Sequence, residues 1–360
     1  MFFSSHTSPG TGKAGSENED WIAATSDLVV VLDGATIRTD TGCSHGVSWY
    51  TRKLGANILD GAASRSRSLK EVLADAIEAV ANLHSETCDL SHPGTPSAAV
   101  GIARLDGDSL QYLVLGDVSL VLEMADLEIR RISDDRVSET GKKEREIADK
   151  FAIGTQEKHD AMLEMKRAEL AARNVKGGYW IAATDPSAVD EAIVGSVSLR
   201  NVVRFATMTD GAARIVDLFK SRSWLRVLNT LEQDGPSFLL ADVRHLEDSD
   251  PVGENFPRNK TSDDASVVFV DPHRKPTRWK GSRPGRTINS EVDFDSSEVQ
   301  AAREKTLAEF RAMTQNDPAA IMGENPEIWK RNNPELAEQY RGKRLDAARR
   351  LVAEVDTPTR

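Results

Sequence analysis

The sequence predicts a layered α+β sandwich, with strands gathered into sheets and covered by helices rather than wound as repeated βαβ units. Three observations lead there. Short apolar runs rich in β-branched residues, bounded by Gly, Asp or Ser, recur along the first 272 residues. Two amphipathic helices fall together between the first and second of these runs. The 360-residue chain is long enough for a sizeable buried core, and its 39% hydrophobic and 29% charged residues exclude fibrous and wholly disordered classes.

In chain order, residues 1–18 are rich in Ser, Gly and Thr and read as irregular. Strand character follows at 28–32, 98–105, 110–115, 119–122, 179–183, 202–208, 238–243 and 265–270. Helical spacing appears in 47–59, where Val47, Tyr50, Leu54 and Ile58 share a face. It appears again in 69–84, with Leu69, Val72, Leu73, Ile77, Val80 and Leu83. Leu105-Asp106-Gly107-Asp108 between two apolar runs predicts a hairpin. The Lys/Glu/Ala-rich stretch 140–175 reads as exposed helix inserted among strands, and 212–232 as a further amphipathic helix. A boundary falls near 272, closing a first domain at 1–272. Residues 273–290 hold six Lys/Arg, two Pro and no acid, which suits a basic linker over 273–295. A helical tail over 296–360 is then free to dock on its own body or on a protein partner.

Charge narrows the function. From residue 273 onward there are 17 Lys and Arg against 14 Asp and Glu, and before it 29 against 43. So acidic a domain repels nucleic acid and anionic membranes. The longest aliphatic run, 28–32, is far short of the ~20 residues of a membrane helix, and the N-terminus has no basic residue ahead of an apolar segment. With only Cys43 and Cys88, neither a disulfide framework nor a Cys-based zinc site is expected. A cytoplasmic protein is the expectation. If its substrate is phosphorylated, a bound metal is the natural source of the missing positive charge.

The chemistry points to the same place. Acidic residues stand at the ends of apolar strands: Asn18-Glu19-Asp20 before Trp21, Asp33-Gly34 after Leu32, Thr209-Asp210-Gly211 after Met208, and Ser262-Asp263-Asp264 before Ala265. Asp and Gly are disfavoured inside strands, so each marks a terminus. If the strands are neighbours, the carboxylates converge and repel one another until protons or cations neutralise them. All-oxygen ligands suit hard ions such as Mg2+ or Mn2+, and Gly34 lets its own carbonyl approach an ion.

The order of these segments, together with Thr95-Pro96-Ser97-Ala98-Ala99 and Leu115-Gly116-Asp117, resembles the type 2C metal-dependent serine/threonine protein phosphatases over roughly 15–272. The resemblance implies a four-layer α-β-β-α sandwich of two mainly antiparallel sheets flanked by helices, with two Mn2+ or Mg2+ ions at one edge. It implies that Asp33 bridges both ions, that the Gly34 carbonyl holds one, and that Asp210 and Asp263 complete the set. Glu19 and Asp20 would hold metal-bound water, and Asp117 a weak third ion. A hydroxide bridging the two ions would attack a phosphoprotein substrate in line, with no protein nucleophile. In the same comparison, 140–175 occupies the place of a variable flap beside the active site.

Three positions depart from the family pattern. An Arg that grips phosphate four residues before the acidic pair is Gly15 here, leaving Lys13 as the nearest candidate for substrate phosphate. Ala35 follows Asp33-Gly34 where many relatives carry His; His45 is the nearest histidine in sequence. Arg214 stands where the third ion's second acid belongs, placed to contact substrate phosphate or to pair with Asp117. These departures motivate an alternative, a non-catalytic pseudophosphatase that keeps the fold as a binding or scaffolding module. Other motifs fail. Gly10-Thr11-Gly12-Lys13-Ala14 lacks the first Gly and the final Ser/Thr of a P-loop, and the seven scattered His show no His-x-x-x-His pair for a zinc hydrolase.

Overall fold

The computed structural model describes residues 1–10, 17–36 and 38–274, all within the first of the chain's two units, Met1–Thr277. The expected helical tail, and all but the first two residues of the expected linker, lie outside the described residues. Ten strands are present among the described residues: β1 (Phe2–Ser8), β2 (Trp21–Ala24), β3 (Leu28–Gly34), β4 (Ala98–Asp106), β5 (Ser109–Leu115), β6 (Ser119–Met124), β7 (Ile129–Ile132), β8 (Ile193–Ser198), β9 (Val202–Met208) and β10 (Ala265–Asp271). The helices are α1 (Val47–Ala62), α2 (Leu69–His84), α3 (Arg136–Glu139), α4 (Lys142–Ala148), α5 (Gln156–Ala171), α6 (Asp210–Asp217), α7 (Trp224–Gln233) and α8 (Pro236–Ser249).

The strands form two antiparallel five-stranded sheets, ordered β1-β10-β9-β6-β7 and β2-β3-β4-β5-β8. β3 shows how the layers arise. Its run is apolar without interruption because both faces are buried: alternate residues point to opposite sides, so Val30 and Leu32 pack with Tyr50, Leu54, Leu73 and Ile77 of α1 and α2. Val29 and Val31 meet Leu120, Phe205 and Val268 of the other sheet. On the far side, Val121, Ala206 and Phe269 are covered by Ile215, Leu228 and Leu239 of α6, α7 and α8. The result is the four-layer α-β-β-α sandwich. The expected hairpin joins β4 to β5, with Gly107 at φ +57°. Ser68 and Glu71 close a capping box at the start of α2.

Several elements differ from expectation. Residues 2–8 form edge strand β1, paired along its whole length with β10; its one exposed face admits Ser and Thr, which masked it. The apolar run 238–243 is helix: Pro236 opens α8, and Leu239, Leu240 and Val243 bury one stripe of it. A short apolar run does not separate strand from buried helix by periodicity alone. Residues 179–183 make only isolated bridges, Arg173 to Tyr179 and Ala98 to Ala182. The helix expected at 212–232 breaks into α6 and α7 around Lys220, at φ +52°. The helix expected at 140–175 breaks into α4 and α5 around Gly154, at φ +93°. Strands β7 and β8 carried no clear apolar run.

Candidate metal centre

The fold brings the acidic strand ends to one end of the sandwich. Asp33 closes β3 in one sheet. In the other, β9 and β10 are neighbours, so Asp210, just past β9, and Asp263, just before β10, come together. Asp117 lies in the turn where the chain leaves β5 for β6 of the opposite sheet, and Glu19 and Asp20 precede β2. The Asp210 backbone N–H, first of α6, donates to Asp33 Oδ2 at 2.9 Å. Thr209 Oγ1 donates to Asp20 Oδ2 at 3.0 Å and accepts from the Ser266 N–H at 2.9 Å.

Glycine is required beside two of these carboxylates by close approach. A Cβ on Gly34 would sit 2.4 Å from the Glu19 carbonyl oxygen, and one on Gly211 would sit 1.9 Å from that of Asp264. The Asp264 carboxylate braces the neighbouring backbone, accepting from the Gly10 and Glu19 N–H groups at 2.7 Å each. Sequence reading gave it no separate role.

Electrostatics confirm the crowding. Burial, then Asp210, Asp20, Asp117 and Asp263, push the Asp33 carboxyl well above the usual carboxylate range. Burial and then Asp210 raise Asp117 to about 7. Asp20 and Glu19 are raised, mainly by burial. For Asp210, loss of hydration and the charge of Asp263 outweigh the pull of Arg214 and Lys260. A set of oxygen donors that repel one another fits a hard divalent ion, which would offset that repulsion.

Asp263 is different. Burial opposes its charge, but Lys260 and Arg214 outweigh burial and hold its pKa below the usual value. Lys260 Nζ bonds Asp263 Oδ1 and also donates to Thr36 Oγ1 at 2.8 Å. Arg214 bonds Asp263 Oδ2 at 3.0 Å and the fully buried Glu247 at 2.6 Å. Two protein cations thus already neutralise the carboxylate that would complete the ion's ligand set.

Of the roles open to Arg214, pairing with Asp117 is not the one seen: its partners are Glu247 and Asp263. Lys13 and Gly15 lie outside the described residues. Sequence reading missed Lys260 and also Arg38, which lies within electrostatic reach of Asp263 and Glu19. Neither follows a motif; the signal for Lys260 is its place three residues before Asp263. A cleft beside the carboxylates is lined by Thr36, Arg38, Thr95, Lys166, Glu169 and Arg173, among others. Its α5 side, Lys166 and Glu169, belongs to the 140–175 stretch.

The ring of His45, the nearest histidine in sequence to Asp33-Gly34, lies against Trp49, with centroids 4.3 Å apart. The cysteines are not solitary, because Cys43 and Cys88 gather with His45 and His84.

The sequence model of the family described as Protein phosphatase 2C matches residues 11–243, most of the chain. The chain belongs to the protein phosphatase 2C family, and by that membership to the metal-dependent serine/threonine protein phosphatases. Comparison with curated proteins gives no match. Solved structures similar in fold include the catalytic domain of the phosphatase PstP with two manganese ions, at 16% identity and TM-score 0.45, covering 75% of this chain and 97% of that one. PppA of Pseudomonas aeruginosa, described as a regulatory component of T6SS, is similar at 15% identity and TM-score 0.46, covering 75% and 96%. MsPP of Mycobacterium smegmatis, in complex with cacodylate, is similar at 15% identity and TM-score 0.45, covering 75% and 98%. Among the described residues no helix is long and apolar enough to cross a membrane.

Proposed function

We propose that this chain hydrolyses phosphoserine and phosphothreonine in cytoplasmic phosphoproteins at a centre of two Mn2+ or Mg2+ ions. The observation that carries the reading is the convergence of Asp33, Asp117 and Asp210, whose pKa values rise first through loss of hydration and then through neighbouring carboxylates, Asp210 acting on Asp33 and Asp117, and Asp263 on Asp210. When bound, the ions supply an activated water and positive charge against the transferring phosphoryl oxygens.

The chain's residues do the rest. Asp33 and the Gly34 carbonyl would hold the ions with Asp210 and Asp263 completing the set, Glu19 and Asp20 would position water beside them, and Asp117 would serve a weaker third ion. Thr36 steadies this array by donating to Glu19 Oε2 at 2.5 Å while accepting from Lys260. Arg38, and Lys13 beyond the described residues, supply positive charge for the substrate phosphate. The Lys166 and Arg173 side of the cleft is where acidic or phosphorylated peptide meets the α5 flap.

The experiment is hydrolysis of an aryl phosphate and of phosphopeptides in Mn2+ or Mg2+. Turnover that disappears in Asp33→Ala and Asp210→Ala supports the proposal; folded wild-type protein without turnover in either ion overturns it. One observation favours a second reading, a non-catalytic binding module: Lys260 and Arg214 occupy both oxygens of Asp263. Calorimetric Mn2+ binding without turnover would identify that module.

A further inference from the structure

The chain's only two cysteines, Cys43 and Cys88, are 45 positions apart yet meet beside two histidines, well away in chemistry from the all-oxygen centre. Cys43 and His45 lie in the loop that leads from β3 into α1. His84 is the last residue of α2, and Cys88 follows it by one turn. Cys43 Sγ lies 3.6 Å from His45 Nδ1 and 3.5 Å from His84 Nδ1, and Cys88 Sγ lies 3.4 Å from His45 Nδ1. One ligand atom from each of the four residues falls within 4.8 Å of all the others.

We infer that Cys43, His45, His84 and Cys88 form a Cys2His2 site for a structural zinc ion. A tetrahedral zinc with Zn–S of about 2.3 Å and Zn–N of about 2.05 Å requires S···N edges of about 3.6 Å. The three measured edges, 3.4 to 3.6 Å, match that figure before any ion is placed. Two sulfurs and two imidazole nitrogens in a tetrahedral arrangement are a donor set that selects zinc over the hard ions suited to Asp33 and Asp210. Four protein donors fill the tetrahedron, which makes the site structural, with no open position for water.

The surroundings are those of a built site. His84 is 1% exposed, and its far nitrogen, Nε2, has no hydrogen-bond partner among the described residues. Trp49 packs against both rings, 4.3 Å from His45 and 5.1 Å from His84 between centroids. It thereby orients them, as a hydrogen bond to the far nitrogen more often does. The His45 backbone N–H approaches Cys43 Sγ at 3.5 Å. Both cysteines remain partly accessible, so an ion can reach them.

The site has a consequence for the carboxylate centre. It ties the loop between β3 and α1 to the end of α2, reinforcing the Asp89 N–H to Gly42 carbonyl bond at 2.8 Å. That same loop carries Thr36 and Arg38 beside Glu19 and Asp263. Zinc would hold the loop in place without touching the reacting atoms, and the inference stands whether or not the chain is an active phosphatase.

The test uses the untagged full chain, purified in reductant without chelator. Elemental analysis should find one zinc per chain that excess Mn2+ does not displace. Replacing it with Co2+ should give the visible bands of a tetrahedral ion and thiolate-to-cobalt charge transfer. Cys43→Ser/Cys88→Ser should lose the zinc and the charge-transfer band while still binding Mn2+. Should the double variant fail to fold, His45→Ala keeps the question open to measurement: three remaining ligands should lower zinc occupancy at limiting metal. Absence of zinc together with absence of a thiolate–cobalt band in folded wild-type protein overturns the inference. Recovery of the two thiols as a Cys43–Cys88 disulfide in freshly isolated protein does so too.

Discussion

Replacing Asp33 by Asn should stabilise the metal-free protein while abolishing its phosphatase activity. Asp33 is the carboxylate that Asp210, Asp20, Asp117 and Asp263 all burden. Without a divalent ion its charge at neutral pH is a cost to the fold. Asp117, in the same cluster, is itself raised to about 7, and each unit of such a rise is about 1.4 kcal/mol against the ionised form of the group concerned. The amide of Asp33→Asn keeps an oxygen to accept the Asp210 N–H and removes one of the interacting charges. A gain of about 1–3 kcal/mol follows, which for a domain of this size is roughly 3–9 °C in Tm. The assay is thermal melting by circular dichroism in EDTA at pH 7.5 and at pH 5. At pH 5 the wild-type cluster already carries protons, so the gain should shrink. Manganese at a hundred times its Kd should stabilise wild type by about 2.7 kcal/mol and the variant by much less. A variant that melts at or below the wild-type temperature in EDTA at pH 7.5 refutes the reasoning, because the carboxylates would not be in mutual repulsion.

The remaining predictions concern the same centre. Arg214→Met takes one cation from the buried Glu247 and from Asp263, but Arg244 at 2.7 Å and Lys260 remain. The cost should be about 3 kcal/mol, the low end for a broken buried ion pair, while Mn2+ binds about tenfold tighter by calorimetry because Asp263 is released. Gly211→Ala places a Cβ against the Asp264 carbonyl and should cost about 1–3 kcal/mol in urea unfolding, with weakened Mn2+ binding as Asp210 is displaced. Metal-free wild type should be destabilised as pH rises. The raised Asp117 contributes stability that is fully present below about 4, the unfolded pKa, and lost through about 7; urea midpoints in EDTA should fall across that window, and Mn2+ should restore them at its upper end.

Much of this arrangement was legible from residue order. Asp33, Asp210 and Asp263 could be read because an acid at the end of an apolar strand has few other reasons to be there, and antiparallel neighbours carry such ends to one side. The hairpin at Gly107 was legible because its turn chemistry is local. What escaped depends on contacts distant in sequence. Edge strand β1 is held by backbone pairing to β10 at the opposite end of the domain, and its Ser-rich face hid it. In α8, a Pro start and a buried stripe outweighed the strand-like look of 238–243. The pairing of Arg214 with Glu247, rather than with Asp117, depends on the packing of α6 against α8. The Cys/His cluster was invisible because its spacing, Cys-x-His and then His-x-x-x-Cys on another element, becomes a site only when the end of α2 packs beside the start of α1.

The most direct measurement is anomalous diffraction at the manganese edge from crystals soaked in Mn2+. The account predicts density against Asp33 and the Gly34 carbonyl, shared with Asp210, and a shift of the Arg214 guanidinium away from Asp263 as the ligand set completes. Crystals that diffract well but show no anomalous density among these carboxylates, with Arg214 and Lys260 still bound to Asp263, would contradict it.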